Sequence, residues 1–251
     1  INGKVNSGPL SFRGIELDGA RTDLQYTNQV WLLPNLIASR PEGDLKFALR
    51  TQTESRDFHF DFHSSINPSV IMPALKDEKQ KRAFEFFVFE NSPVIEGQIW
   101  GRWKEPSLTS FYANLGATNF TFRAQQVNSM TAKMTLTNGV LNAFDVKLAR
   151  PEGVVTLDAL AFELKEKRLS LTNGVGQVDP AAVFKTIGPK TARALEPYQF
   201  IDPPKVKVDG WIQTGAGRNS ASLHVDVDGG AFKFNRFNSR DMNGEIFWTG
   251  H

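Results

Sequence analysis

The 251 residues carry 29 basic and 27 acidic side chains, for a formal net charge of +2. Charges so evenly mixed form no basic stripe, which argues against nucleic-acid binding. With no cysteine the chain has neither a disulfide scaffold nor a thiolate metal site, whereas 20 phenylalanines and 40% apolar content supply material for a buried core.

From the N-terminus onward most of the chain alternates with period two, the mark of strands that bury one face. Leu45, Phe47 and Leu49 form one such face. In Asp57–His63 the pattern is purest: Phe58, Phe60 and Phe62 point one way, and Asp57, His59, Asp61 and His63 the other. Asn67-Pro68 then opens a helical stretch, with Asn as cap and Pro at the first helical position. Val70, Ile71, Ala74 and Leu75 form its apolar side, Pro73 kinks it, and Ala83 and Phe84 follow. The mixed run Lys76–Arg82 reads as a solvated helix face. Ser92-Pro93 leads into a further strand.

Phe120/Phe122, Leu160/Phe162/Leu164 and Leu223/Val225/Val227 continue the alternation, as do Phe232/Phe234. Asn138-Gly139, Asn173-Gly174, Asp209-Gly210, Asp228-Gly229-Gly230 and Asn243-Gly244 are turn signals between strands. Asp179-Pro180 opens a second capped helix with Val183, Phe184 and Ile187 at helical spacing. Gly188-Pro189 breaks it, and Ala192, Ala194 and Leu195 suggest another turn or two. Gly215-Ala216-Gly217 reads as a hairpin turn.

Pieces of this sequence recur. Arg40-Pro41-Glu42-Gly43 is written again as Arg150-Pro151-Glu152-Gly153, about 110 residues on, and Asn67-Pro68 returns as Asp179-Pro180. Asn128-Ser129 recurs as Asn238-Ser239. The expected organisation is therefore tandem: 1–43 ends one repeat, 44–153 is a unit, and 154–251 is a unit plus the start of the next. The tetrapeptide is turn chemistry, since Pro sets φ and Gly permits positive φ.

The predicted fold is mainly β with short helices, a long twisted antiparallel sheet of tandem units. An antiparallel sheet can wet only one face. Its apolar face must close into a sandwich or barrel, or line a groove, and an extending array favours the groove. An exposed apolar patch of that size marks a site for a greasy ligand.

The pairing of a strand set, a kinked helix opened by Asp/Asn-Pro and a Pro-led strand ending in Asp-Gly resembles the AsmA-like envelope proteins of bacteria. Val178-Asp179-Pro180-Ala181-Ala182-Val183-Phe184, Pro203 through Asp209-Gly210-Trp211-Ile212, Leu136–Leu141 and Asn235–Trp248 carry the resemblance. It lies in pattern and architecture over most of the chain, without a diagnostic motif. The resemblance implies a repeating β-groove anchored in the inner membrane, with this chain as a periplasmic part of it. It also implies phospholipid or another acyl lipid as cargo, moved between inner and outer membranes, and an outer-membrane or envelope protein as partner. The expected groove wall is Phe58, Phe60, Phe62, Phe120, Phe122, Leu223, Val225, Val227, Phe232 and Phe234. The alternative is a structural or interaction module of the envelope, with closed β-sandwich repeats acting as spacer or assembly factor.

Enzyme signatures are weak. His59-x-Asp61-x-His63 places potential metal ligands on one strand face, about 7 Å apart. The same residues are the polar positions of a half-buried strand, and the corresponding place near Leu169–Leu171 carries no such set. His224 lies beside Asp226 and Asp228 on another polar face. No nucleophile elbow and no His-Glu-x-x-His is present, so the expectation is a non-enzymatic protein without cofactor. No run approaches the ~18 apolar residues of a membrane-spanning helix, and an anchor or targeting segment is expected outside this stretch.

Overall fold

A computed structural model describes residues 1–75, 78–187, 193, 196–213 and 220–250. The described residues are mainly β, 70% strand and 8% helix, with one large antiparallel sheet that does not close into a barrel. Two compact units divide it: Ile1–Thr118 with Lys133–Gly139, and Asn119–Ala132 with Val140–His251.

The first unit runs β1 (Asn2–Ser7), the hairpin β2 (Leu10–Phe12) and β3 (Ile15–Leu17), then β4 (Gly19–Thr27), β5 (Val30–Arg40), β6 (Gly43–Gln52) and β7 (Asp57–Ser64). A 3-10 helix, Pro68–Ala74, and α1 (Glu78–Glu85) interrupt it before β8 (Phe87–Phe89), β9 (Val94–Arg102) and β10 (Glu105–Phe122). β11 (Gln125–Thr137) leads to β12 (Val140–Arg150), β13 (Gly153–Glu163) and β14 (Arg168–Gln177). Next come α2 (Pro180–Ile187), β15 (Tyr198–Asp202), β16 (Lys205–Gln213), β17 (Ala221–Asp228), β18 (Ala231–Phe234), β19 (Phe237–Ser239) and β20 (Asn243–Gly250). The hydrogen-bonded order is β1-β4-β5-β6-β7-β9-β10-β11-β12-β13-β14-β16-β17-β20, with β8 beside β10. Sequential strands are thus mostly neighbours, as in a meander.

The two writings of the tetrapeptide make the same turn. Arg40 pairs with Gly43 and Arg150 with Gly153 across the hairpin ends. In each, the Arg Nε donates to the Glu Oε1 at 2.6 Å. Both glycines are required by close approach. A β-carbon on Gly43 would overlap the Ser65 carbonyl oxygen, and one on Gly153 the Gln177 carbonyl oxygen. The helix openings also match expectation. Asn67 Oδ1 accepts the Ser69 N–H at 3.0 Å, and Asp179 Oδ1 accepts the Ala181 N–H at 2.9 Å. With Pro73 inside it, the first stretch forms a 3-10 helix that ends at Ala74.

Two expectations are corrected. Asn173-Gly174 and Asp209-Gly210 are not hairpin turns but lie within β14 and β16. The register of β14 against β16 shifts between Leu171 and Gly174, a bulge with Asn173 at φ 48°. Asp209 accepts the Asn173 N–H at 2.6 Å, and the Asn173 amide donates to Asp158 at 2.8 Å, so the polar side chains satisfy the bulge rather than end the strand. Second, Phe232 and Phe234 do not continue the main sheet. Gly229 and Gly230, at φ 73° and 90°, break the strand, and β18 pairs instead in a separate three-stranded sheet, β15-β18-β19. The aromatic residues are mostly part-exposed rather than buried. The buried apolar residues among those described are mostly small, including Ala38, Ala113, Ala117, Ala132, Ala182 and Ala221, with Phe58 and Phe120 the buried phenylalanines. Ala192, Ala194 and Leu195, expected to form another turn or two, and the Gly215-Ala216-Gly217 hairpin lie outside the described residues. No helix among the described residues is long and apolar enough to cross a membrane.

Candidate functional site

Strand register sorts side chains onto faces, because residues directly opposite each other share one. In the first unit one row is Leu33, Leu49, Phe60, Ile99 and Phe111, and the next is Leu36, Phe47, Phe62, Gly97 and Ala113. Phe58 lies in a third row between Thr51 and Gly101. The expected wall residues Phe58, Phe60 and Phe62 therefore share one apolar face. Their rings pack laterally: Phe58 to Phe60 at 5.5 Å edge-on, Phe47 to Phe60 at 6.0 Å, and Phe58 to Trp103 at 4.4 Å. Phe58 lies against Gly101, where a β-carbon would come 3.2 Å from its ring, so the ring covers a residue that has no side chain of its own. Trp103 is held by its indole N–H, which donates to Thr51 Oγ1 at 2.8 Å.

The second unit has an apolar face of different make-up. Its rows are Leu141, Phe162, Leu169, Ile212 and Ala221, then Ala143, Leu160, Leu171, Gly210, Leu223 and Trp248. Beyond these come Val208, Val225 and Ile246, and Val155, Gly176, Val206 and Val227. Leu223, Val225 and Val227 fall together here. Gly174 and Gly176 leave a hollow in this face, and α2 with Val178, Pro180 and Val183 borders it. The result is a cavity of about 220 Å3 lined by Val155, Leu157, Val206 and Val208 as well. A lining so nearly apolar disfavours water. In the first unit a wider hollow of about 490 Å3 opens where β6, β7 and β9 meet their turns. It mixes Arg50, Asp57 and Arg102 with Phe58 and Trp100 and offers no purely apolar wall.

Phe120 is buried at the end of β10, and Phe122 is half-buried with the Arg123 guanidinium 5.8 Å over its ring. Phe232 and Phe234 belong to an aromatic cluster of the small sheet, with Tyr198 4.7 Å from Phe234 and 5.8 Å from Phe232. The ten wall candidates thus fall into the two apolar faces, the end of β10 and the small sheet.

The opposite faces are polar. In the first unit they carry Arg50, His59 and Trp100, then Asp61, Gln98 and Tyr112, then Lys46, His63 and Glu96. His59 Nε2 is 3.5 Å from Asp61 Oδ1, while His63 Nδ1 turns to Glu96 Oε2 at 3.8 Å. The sequence trio His59, Asp61, His63 is therefore split between two pairs and does not converge on a point. In the second unit His224 Nε2 lies 3.1 Å from Asp226 Oδ1 and 3.6 Å from Glu245 Oε2. That set is the one triad of potential metal ligands found within 4.8 Å of one another among the described residues. Its third member comes from a neighbouring strand and cannot be read from local spacing. At the turn end of the first unit Asp57 is held below the usual carboxylate range, first by the Ser55 hydroxyl and then by Arg102, whose Nε donates to it at 3.1 Å.

Comparison with family models, with curated proteins and with solved structures finds no match to this chain.

Proposed function

We propose that the chain is built from copies of one unit of about 110 residues, and that the apolar face of each holds lipid acyl chains, as in the AsmA-like envelope proteins its sequence resembles. The observation that carries the reading is the state of those faces. Phe47, Phe60, Phe62, Leu157, Val206, Val208, Val225 and Val227 are all only half-buried, which leaves apolar surface for a ligand to cover. No directional chemistry is needed. Each methylene taken out of water contributes roughly 0.8 kcal/mol, and rows of similar side chains leave small barriers between neighbouring positions. On this reading the protein is a non-enzymatic, periplasmic segment of a membrane-anchored carrier that passes phospholipid between the inner and outer membranes.

The test is gentle purification followed by mass spectrometry of bound lipid. Phospholipid in stoichiometric amount is expected with the native chain, lost in Phe60→Asp and retained in His59→Ala, which alters the opposite face. Equal loss in both variants would overturn the assignment of faces. A second reading, an interaction module of the envelope, draws on β20, whose Ile246 and Trp248 are 54% and 59% exposed. Exposed apolar side chains of this size suit a protein partner. A stable chain that carries no lipid and self-associates through β20 would put that reading first.

A further inference from the structure

The polar face of the second unit brings together three groups that no apolar-ligand reading uses. Asp226 on β17 sits directly opposite Glu245 on β20, and His224 lies two residues along on the same face. We propose that His224, Asp226 and Glu245 bind a divalent transition-metal ion, Zn2+ or one of similar coordination habit, through Nε2 and one oxygen of each carboxylate.

The spacing fits such an ion. Nitrogen and oxygen ligands stand about 2.0–2.1 Å from zinc in tetrahedral sites, which places neighbouring ligand atoms about 3.3 Å apart. The two distances from His224 Nε2, 3.1 and 3.6 Å, straddle that value. Nε2 is shielded from solvent yet has no hydrogen-bond partner, so it faces both carboxylates without being satisfied by either. The imidazole plane is fixed by stacking on Phe247, 4.4 Å away at 6°. An imidazole ligand favours zinc and its neighbours over calcium or magnesium, which take oxygen. Three protein ligands leave a fourth position for water.

The facing strand β16 supplies the remaining charged neighbours. Asp209, opposite His224, is engaged with the Asn173 N–H. Lys207, opposite Asp226, is the cation an incoming metal must outcompete. The first unit provides an internal control. His59 and Asp61 repeat the His-x-Asp spacing, with Trp100 in the place of Phe247, but Gln98 stands opposite Asp61 where the second unit has Glu245. An amide there supplies no anionic third ligand. The ion would also tie the outermost strand β20 to β17.

The test titrates the untagged, chelator-treated chain with Zn2+ by calorimetry and with Co2+ by visible absorption. One ion per chain and a four-coordinate cobalt spectrum are expected. Binding should weaken at least tenfold in His224→Ala and in Glu245→Gln, since losing even a group that only orients a ligand costs roughly 10–100-fold. His59→Ala should bind as the native chain does. All variants should unfold alike without metal, because the three side chains are part-exposed. No binding by the native chain at millimolar Zn2+, unchanged binding in His224→Ala, or an equal loss in His59→Ala would each overturn the proposal.

Discussion

The two apolar faces solve the same problem with different residues. In the first unit Phe47, Phe58, Phe60 and Trp103 lean on one another, and Phe58 shields Gly101. In the second, Val155, Leu157, Val206 and Val208 stand around Gly174 and Gly176, and α2 borders the gap. Aromatic rings on adjacent strands bury area against each other without a second layer. Branched aliphatic side chains are shorter, so a stretch of them with two glycines leaves a hollow that only a covering element or a guest can fill. The first face draws more of its support from ring on ring, and the second leaves a hollow bordered by α2.

That contrast predicts unequal responses to truncation. Phe58→Ala removes the ring that covers Gly101 and contacts both Phe60 and Trp103, and should cost about 3 kcal/mol, the low end for a buried phenylalanine. Leu157→Ala enlarges a hollow that already exists, so only the transfer of the lost atoms is felt, about 2 kcal/mol. Urea unfolding of both variants checks the order. A larger loss at Leu157 would mean that the second face, and not the first, is the tightly packed one.

A smaller effect probes what the units share. Gly43→Ala and Gly153→Ala each drive a β-carbon into a backbone carbonyl, of Ser65 and of Gln177. Neither obstacle is a flexible side chain, so each change should cost roughly 1–3 kcal/mol as overpacking does, and by similar amounts. If one position tolerates alanine, the two turns are alike in sequence only.

Much of this was legible in the chain. The split of Phe58, Phe60 and Phe62 from His59, Asp61 and His63 follows from period two alone, and the caps at Asn67 and Asp179 from their proline neighbours. What sequence could not reveal depended on the partner strand. Asn173-Gly174 and Asp209-Gly210 carry turn chemistry, yet Asp209 satisfies the Asn173 N–H from across the sheet, and a bulge results where a local reading ends the strand. Phe120/Phe122 and Phe232/Phe234 look alike, but the Gly229-Gly230 pair diverts the second set into another sheet. Glu245 joins His224 and Asp226 only because β20 returns beside β17 after two short strands.

The smallest expected effect separates the units by pH. Asp57, at the turn end of the first unit, has its carboxyl depressed by the Ser55 hydroxyl and by Arg102, and Arg102 is raised in turn by Asp57. A depressed carboxyl stabilises the fold above its unfolded value, near 3.9, and that contribution is lost as pH falls through the folded value. Both side chains reach solvent, Asp57 at 55% and Arg102 at 41% exposure, so the effect is slight and screened by salt. Asp57→Asn should therefore lower stability slightly at neutral pH and low salt, with the difference from the native chain shrinking as pH falls below the unfolded carboxylate value and through the depressed folded one. Urea midpoints over a pH series descending from 7, at low and high salt, measure it. A difference that persists at low pH would assign the role of Asp57 to its hydrogen bond with the turn rather than to its charge.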